Sequence, residues 1–152
     1  MKYQERAAFK NHLKAAKPDH LSDVYLVLEN QDYMQQKWAK AILPDQEESY
    51  SFDANSLSLK EWCLQTQTSS MFSKRKWIII YQVDQLPKPL LKKVMEFAIK
   101  PIRDTHLILA ASQFISDFKK IEKTSIILDT TNEKPWVKEE QLTQYVMASF
   151  KQ

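Results

Sequence analysis

Glycine is missing from all 152 residues of this chain, and that absence limits what the chain can build more than any residue present. At the ordinary frequency of about 7%, a chain of this length holds roughly ten glycines. Glycine is what lets backbone N–H groups close around a phosphate, in left-handed or crowded geometry that a Cβ obstructs. The glycine-rich phosphate loop, the dinucleotide fingerprint and the nucleophile elbow of hydrolases are therefore excluded in their usual form.

Nothing else in the composition is unusual for one globular domain. Hydrophobic residues make up 43%, and 22 Lys+Arg against 19 Asp+Glu leave a charge of +3, far from the concentrated basicity of a dedicated nucleic-acid binder. A domain of this size buries close to 70% of its unfolded surface, so neither metal nor disulfide is needed to fold it. The one cysteine, Cys63, has no internal partner. No apolar run approaches the ~18 residues of a membrane span, and no apolar leader opens the chain, which predicts a cytoplasmic protein without membrane contact. With no internal repeat or linker, residues 1–152 read as one domain.

Four short apolar runs rich in β-branched and aromatic residues, Val24 to Leu28, Trp77 to Tyr81, Leu107 to Ala111 and Ile126 to Leu128, predict strands covered on both faces. Ser49 to Phe52 alternates instead, as expected nearer an edge. Between them the period is helical. Phe9, Leu13 and Ala16 form one stripe, and Met34, Trp38, Ala41 and Ile42 form another that stops before Pro44. A third helix is announced by the capping box Ser58-Leu59-Lys60-Glu61, with Leu57 and Trp62 as a hydrophobic staple and Leu59, Trp62 and Cys63 as its apolar stripe. Pro87 and Pro89 open a fourth helix carrying Leu90, Leu91, Val94, Met95 and Ala98, and a last one is expected from Pro135 with Leu142, Tyr145, Val146 and Phe150. Strands alternating with helices predict an α/β fold of three layers, a mostly parallel five-stranded sheet with helices on both faces.

Candidate chemistry is sparse. His12, His20 and His106 have no second His or Cys at metal-ligand spacing, and Cys63 on an apolar stripe reads as a core thiol. Glu29, Asp53, Asp84 and Asp129 follow strands, where open α/β sheets gather ligands, so a magnesium-dependent phosphotransferase or nuclease is an alternative reading. A third is direct DNA binding through Lys74, Arg75 and Lys76 with Lys119, Lys120 and Lys123. The segment Thr68-Ser69-Ser70-Met71-Phe72-Ser73-Lys74 stands apart, because two large apolar residues sit between small hydroxyl residues in a short connection. Such a pair either tucks onto the core or is presented outward as a wedge for a partner's pocket.

Several of these segments resemble the N-terminal domain of the delta subunit of the bacterial DNA polymerase III clamp loader. Asp23 to Met34 is similar to the family's first strand and turn, and Ser69-Ser70-Met71-Phe72-Ser73-Lys74-Arg75-Lys76-Trp77-Ile78-Ile79-Ile80 resembles its "SLFxxRxLLLV" stretch. Asp104 to Leu109 and Lys134-Pro135-Trp136-Val137 fall where that family has a strand and the entry to a closing helix. The resemblance implies an AAA+-like, P-loop-derived topology without a functional P-loop, no cofactor and no catalysis of its own, although such subunits belong to a DNA-directed DNA polymerase holoenzyme. It implies clamp binding through Met71 and Phe72, flanked by Ser69, Ser70 and Ser73, with the beta sliding clamp as partner during DNA replication. The ATPase and delta-prime subunits would be partners through the full-length protein, and DNA only indirectly. Glu29 stands where the family commonly has glycine, and Met71 where it has leucine. The chain ends at Gln152, so the family's helical second domain and collar are expected to be absent.

Overall fold

The structure, a computed structural model, describes residues 1–17, 20–45, 47–67 and 75–131. Among these residues six strands form one sheet: β1 Lys2–Tyr3, β2 Val24–Leu28, β3 Glu48–Phe52, β4 Lys76–Ile80, β5 Thr105–Ala111 and β6 Ile126–Asp129. Their order is β1-β6-β2-β5-β4-β3, and every pair is parallel. The sequence reading anticipated five strands. The sixth, β1, is only two residues long, too short to show a period, and is held by its pairing with Ile127 and Leu128 of β6.

Each central strand divides its side chains between two cores with a period of two. Val24, Leu26 and Leu28 of β2, Ile78 and Ile80 of β4, and Leu107, Leu109 and Ala111 of β5 face one core; Tyr25, Val27, Trp77, Ile79, Ile108 and Ala110 face the other. Helices α3 (Leu59–Gln67) and α4 (Lys88–Ile99) cover the first, with Phe118 and Ile121 of a 3-10 turn. Helices α1 (Arg6–Ala16) and α2 (Asp32–Ile42) cover the second. These are the three layers that continuous apolar runs demand, since a strand buried on both faces has no polar position to spare. Strand β3 is an edge strand, as anticipated, but its burial does not alternate: Ser49, Tyr50 and Ser51 are all exposed, and Phe52 packs against the first core.

Among the described residues two positions demand a left-handed backbone, φ 57° at Gln82 and φ 64° at Asp104. Asp adopts this region at modest cost, but a glutamine there is unusual, a consequence of a chain with no glycine to place after β4.

The cap at Ser58 forms, with its Oγ accepting from the Glu61 N–H at 3.1 Å and Leu57 and Trp62 in one core, while the Glu61 carboxylate accepts from Gln65 Nε2 at 3.1 Å. The stripe assigned to α3 is too wide. Cys63 is exposed and Leu59 is 46% exposed, because α3 lies at the edge of the sheet and only Trp62 turns inward, edge-on to Phe97 at 5.4 Å. The helix expected from Pro135 lies outside the described residues.

One buried polar cluster ties the layers together. Glu29, directly after β2, is fully buried and accepts from Arg6 Nη2 of α1 at 3.2 Å and from Thr130 Oγ1 beyond β6. Its carbonyl accepts from Gln35 Nε2 of α2 at 2.8 Å, and its N–H donates to Ala111 of β5 at 2.9 Å. The Arg6 guanidinium also lies 6.0 Å from the Trp38 ring.

Ile79, 2% exposed at the centre of the sheet, is expected to cost about 2–5 kcal/mol as Ile79→Ala, whereas Leu59→Ala should stay within about 0.5 kcal/mol; urea unfolding measures both. Arg6→Met is expected to cost about 3–5 kcal/mol by leaving the Glu29 carboxylate buried without its cation, and Arg6→Met/Glu29→Met should recover much of that. A double-mutant cycle that finds no coupling between the two positions would refute the ion pair as the tie.

Candidate functional site

In a parallel sheet the two ends differ. The carboxyl ends of the strands carry Glu29, Asp53, Tyr81, Gln82, Ser112 and Asp129, while the amino ends receive the connections returning from the helices. Segment 68–74 is such a return, joining the end of α3 at Gln67 to Lys76 at the start of β4. Met71, Phe72, Ser69, Ser70 and Ser73 all lie in it, outside the described residues.

The stem after that segment is fixed firmly. Arg75 pairs with Glu47, which also accepts from Trp77 Nε1. Lys76 is 3% exposed, donates its Nζ to the Gln65 carbonyl at the end of α3, and lies 5.1 Å from the Tyr50 ring; burial pushes its pKa down. Its backbone N–H donates to the Asp104 carbonyl at 2.9 Å. Trp77 stacks on His106 with centroids 4.3 Å apart, and His106 Nδ1 lies 3.0 Å from the Ser22 carbonyl. Arg75 and Lys76 are thus structural cations that anchor the segment, which removes two members of the basic cluster offered to DNA phosphates; Lys74 lies outside the described residues. Lys119 and Lys120 are exposed on the 3-10 turn Ser116–Ile121, and Lys123 is exposed just after it.

The four strand-end carboxylates do not converge. Glu29 is engaged as described above. Asp53 Oδ1 accepts from the N–H groups of Asn55 and Ser56 at 2.9 Å, as a turn former does. Asp84 accepts from the Ser112 hydroxyl at 2.9 Å. Asp129 lies 3.4 Å from Lys2 Nζ and accepts from Thr131; burial pushes its carboxyl pKa up, but the bonds from Thr131 and Lys2 together outweigh it and the net direction is down. Among the described residues no group of three or more His, Cys, Asp or Glu is placed to hold a metal ion. The magnesium site suggested by the sequence is therefore not assembled among the described residues, because each carboxylate is taken up separately, Glu29 by Arg6 and Thr130, Asp53 by its own turn, Asp84 by Ser112 and Asp129 by Lys2 and Thr131.

Of the histidines, His20 is exposed and His12 Nε2 lies 3.0 Å from the Tyr25 hydroxyl, with burial lowering its pKa. Neither shares a site with another candidate.

The turn between β2 and α2, where a P-loop stands in phosphate-binding α/β folds, contains only Glu29, Asn30 and Gln31. Its first carboxylate is folded inward, and Asp32 places a second in the first turn of α2. Beside it the structure shows something the sequence reading missed, a polar cleft lined by Asp32, Gln35, Gln36, Asp53, Tyr81 and Gln82. The one early sign was Gln35, a polar residue within the apolar stripe of α2 between Met34 and Trp38.

No protein-family model and no curated protein sequence matches this chain. Solved structures do. The Bacillus subtilis DNA clamp loader delta protein YqeN superposes with a TM-score of 0.62 at 15% identity, over 79% of this chain and 42% of that one. The Thermotoga maritima RuvB Holliday junction branch migration motor gives 0.60 at 18% identity, over 83% and 45%. A DNA polymerase III gamma subunit-related protein from Thermotoga maritima gives 0.53 at 7% identity, over 84% and 46%. The chain spans less than half the length of each. The fold is that of the AAA+-type α/β domain found in clamp-loader proteins and RuvB, with six parallel strands in place of the five anticipated.

Proposed function

We propose that this chain is a clamp-facing module of a DNA clamp loader, docking on a ring-shaped sliding clamp through Met71 and Phe72 without binding nucleotide or catalysing a reaction itself. The observation that carries the reading is the likeness in fold to a clamp loader delta protein in a chain whose Ser69-Ser70-Met71-Phe72 segment resembles the same family. The segment runs from the end of α3 at Gln67 to the amino end of β4, where the chain is tied down by the Arg75–Glu47 pair, Lys76 and the Trp77–His106 stack.

Burying a Met and a Phe is worth about 1.5–3 kcal/mol each, so the pair contributes roughly 3–6 kcal/mol to affinity. Ring opening follows where the wedge fits a strained clamp interface better than a closed one, since a ligand shifts an equilibrium only by its differential affinity. ATP hydrolysis belongs in this reading to the loader's other subunits, with DNA contacted indirectly. The three-residue turn after β2 supports that division: it has neither the length nor the glycines of a phosphate cradle, it carries the carboxylate of Glu29, and that of Asp32 follows in the first turn of α2.

Surface plasmon resonance against a bacterial beta sliding clamp, without nucleotide, is expected to give saturable binding that Met71→Ala/Phe72→Ala abolishes, while the variant melts within a few degrees of the wild type. A large drop in melting temperature would instead make Phe72 a core residue. A fluorescent ATP analogue with Mg²⁺ is expected to show no saturable binding; nucleotide affinity in the micromolar range would sink the division of labour and favour a motor of the RuvB kind.

A further inference from the structure

The two edges of the sheet are finished differently. At one, β1 is two residues long and carries Lys2, and a very short strand with a lysine is a common means of keeping another chain from adding to a sheet. At the other, β3 runs for five residues in unbroken register with β4, from Glu48 opposite Lys76 to Phe52 opposite Ile80, with no bulge, proline or lysine of its own. Among the described residues β3 pairs with β4 alone, and Ser49, Tyr50 and Ser51 are exposed along it. The protections that close the first edge are missing from the second.

Which backbone groups face outward follows from the ladder. The Phe52 carbonyl accepts from the Tyr81 N–H at 2.8 Å, so Phe52 turns its backbone toward β4, and by the period of two so does Tyr50. Ser49 and Ser51 turn theirs the other way, off the sheet. Asp53, next in that outward set, gives its N–H to Ser56 Oγ at 2.9 Å and not to β4. Each of the two serines therefore offers an N–H and a C=O to an incoming strand. The flanks of this stretch are acidic, with Asp45, Glu47 and Glu48 at its start and Asp53 at its finish. The neighbouring cations are turned away from the edge: Arg75 is taken up by Glu47, and Lys76 is buried with its Nζ on the Gln65 carbonyl.

We infer that the outer edge of β3 receives an extended segment of a partner protein with lysine or arginine at its ends, which adds to the sheet as a further strand through the backbone groups of Ser49 and Ser51. Strand addition draws its affinity from main-chain hydrogen bonds, and flanking side chains give it selectivity. Basic ends suit this edge in either strand direction, because carboxylates lie at both ends of β3. Tyr50, half-way along and 36% exposed, offers the incoming strand an aromatic neighbour. A second copy of this chain fits less well. Antiparallel pairing that joins Ser49 of each copy to Ser51 of the other sets Glu47 opposite Asp53 at both ends, and like charges opposed across a strand pair are destabilising. The inference stands on the sheet edge and is independent of the clamp-wedge reading.

The test is an NMR titration of the ¹⁵N-labelled chain, at constant ionic strength, with the acetylated and amidated peptide Lys-Val-Thr-Val-Thr-Val-Lys. Saturable shifts are expected at the backbone amides of Ser49 and Ser51. The same peptide N-methylated at two adjacent central residues, so that neither of its edges can pair, is expected to give none. Glutamate in place of both lysines should weaken the response about tenfold by reversing the charge match. Ser51→Pro removes an outward N–H and leaves those that pair with β4, a change an edge strand tolerates, so it should weaken binding while the melting temperature stays close to that of the wild type. An equal response to the N-methylated peptide would reduce the contact to side-chain adhesion, and an equal response to the glutamate peptide would remove the charge selection. A dimer of the chain alone in sedimentation equilibrium, dissolved by Ser51→Pro, would give the edge to a second copy, and a flat response up to the peptide's solubility limit would show that no strand is received; each of these overturns the inference.

Discussion

The buried contact between Glu29 and Arg6 is the point on which the arrangement of this domain turns. Through its carboxylate, carbonyl and N–H, one residue reaches α1, α2, β5 and the chain just past β6. A carboxylate with no exposed surface is tolerated only when a cation and hydrogen bonds replace the water it has lost. Meeting that demand pulls Arg6 inward against Trp38, seats α1 over the second core and orders the turn in which a phosphate loop would otherwise lie. The same contact that completes the fold thus takes up the first side chain of the turn between β2 and α2.

The two ends of the sheet carry different burdens. At the carboxyl end, the strand-end side chains are spent on internal hydrogen bonds or gathered around a small acidic cleft. At the amino end, the stem of segment 68–74 is braced by cations that look in the sequence like a nucleic-acid patch and are in fact paired or buried.

How much of this was legible in advance depended on whether a feature is local. The strands were readable because double-sided burial leaves a continuous apolar run, and the cap of α3 because Ser58, Glu61, Leu57 and Trp62 sit within one helical turn. β1 was not, since two residues have no period and depend wholly on β6 for their pairing. Cys63 and Leu59 misled for a related reason. Helical spacing tells which residues share a face, but how wide a face is covered is decided by what lies against it, and α3 sits at an edge.

The sequence by itself determined the fold class and the impossibility of a glycine-built phosphate cradle, because periodicity and the absence of a residue type are properties of the chain alone. It also singled out Met71-Phe72, through a resemblance to the clamp loader delta subunit. Only the tertiary structure decided the roles of the charges. Arg6 and Glu29 are 23 residues apart, Arg75 and Glu47 are 28 apart, and the cleft joins α2 to the ends of β3 and β4. Whether a charged side chain is a solvated surface group, a buried tie or part of a binding site depends on which distant residue it meets and how much water remains between them, and the order of residues along the chain does not contain that distance.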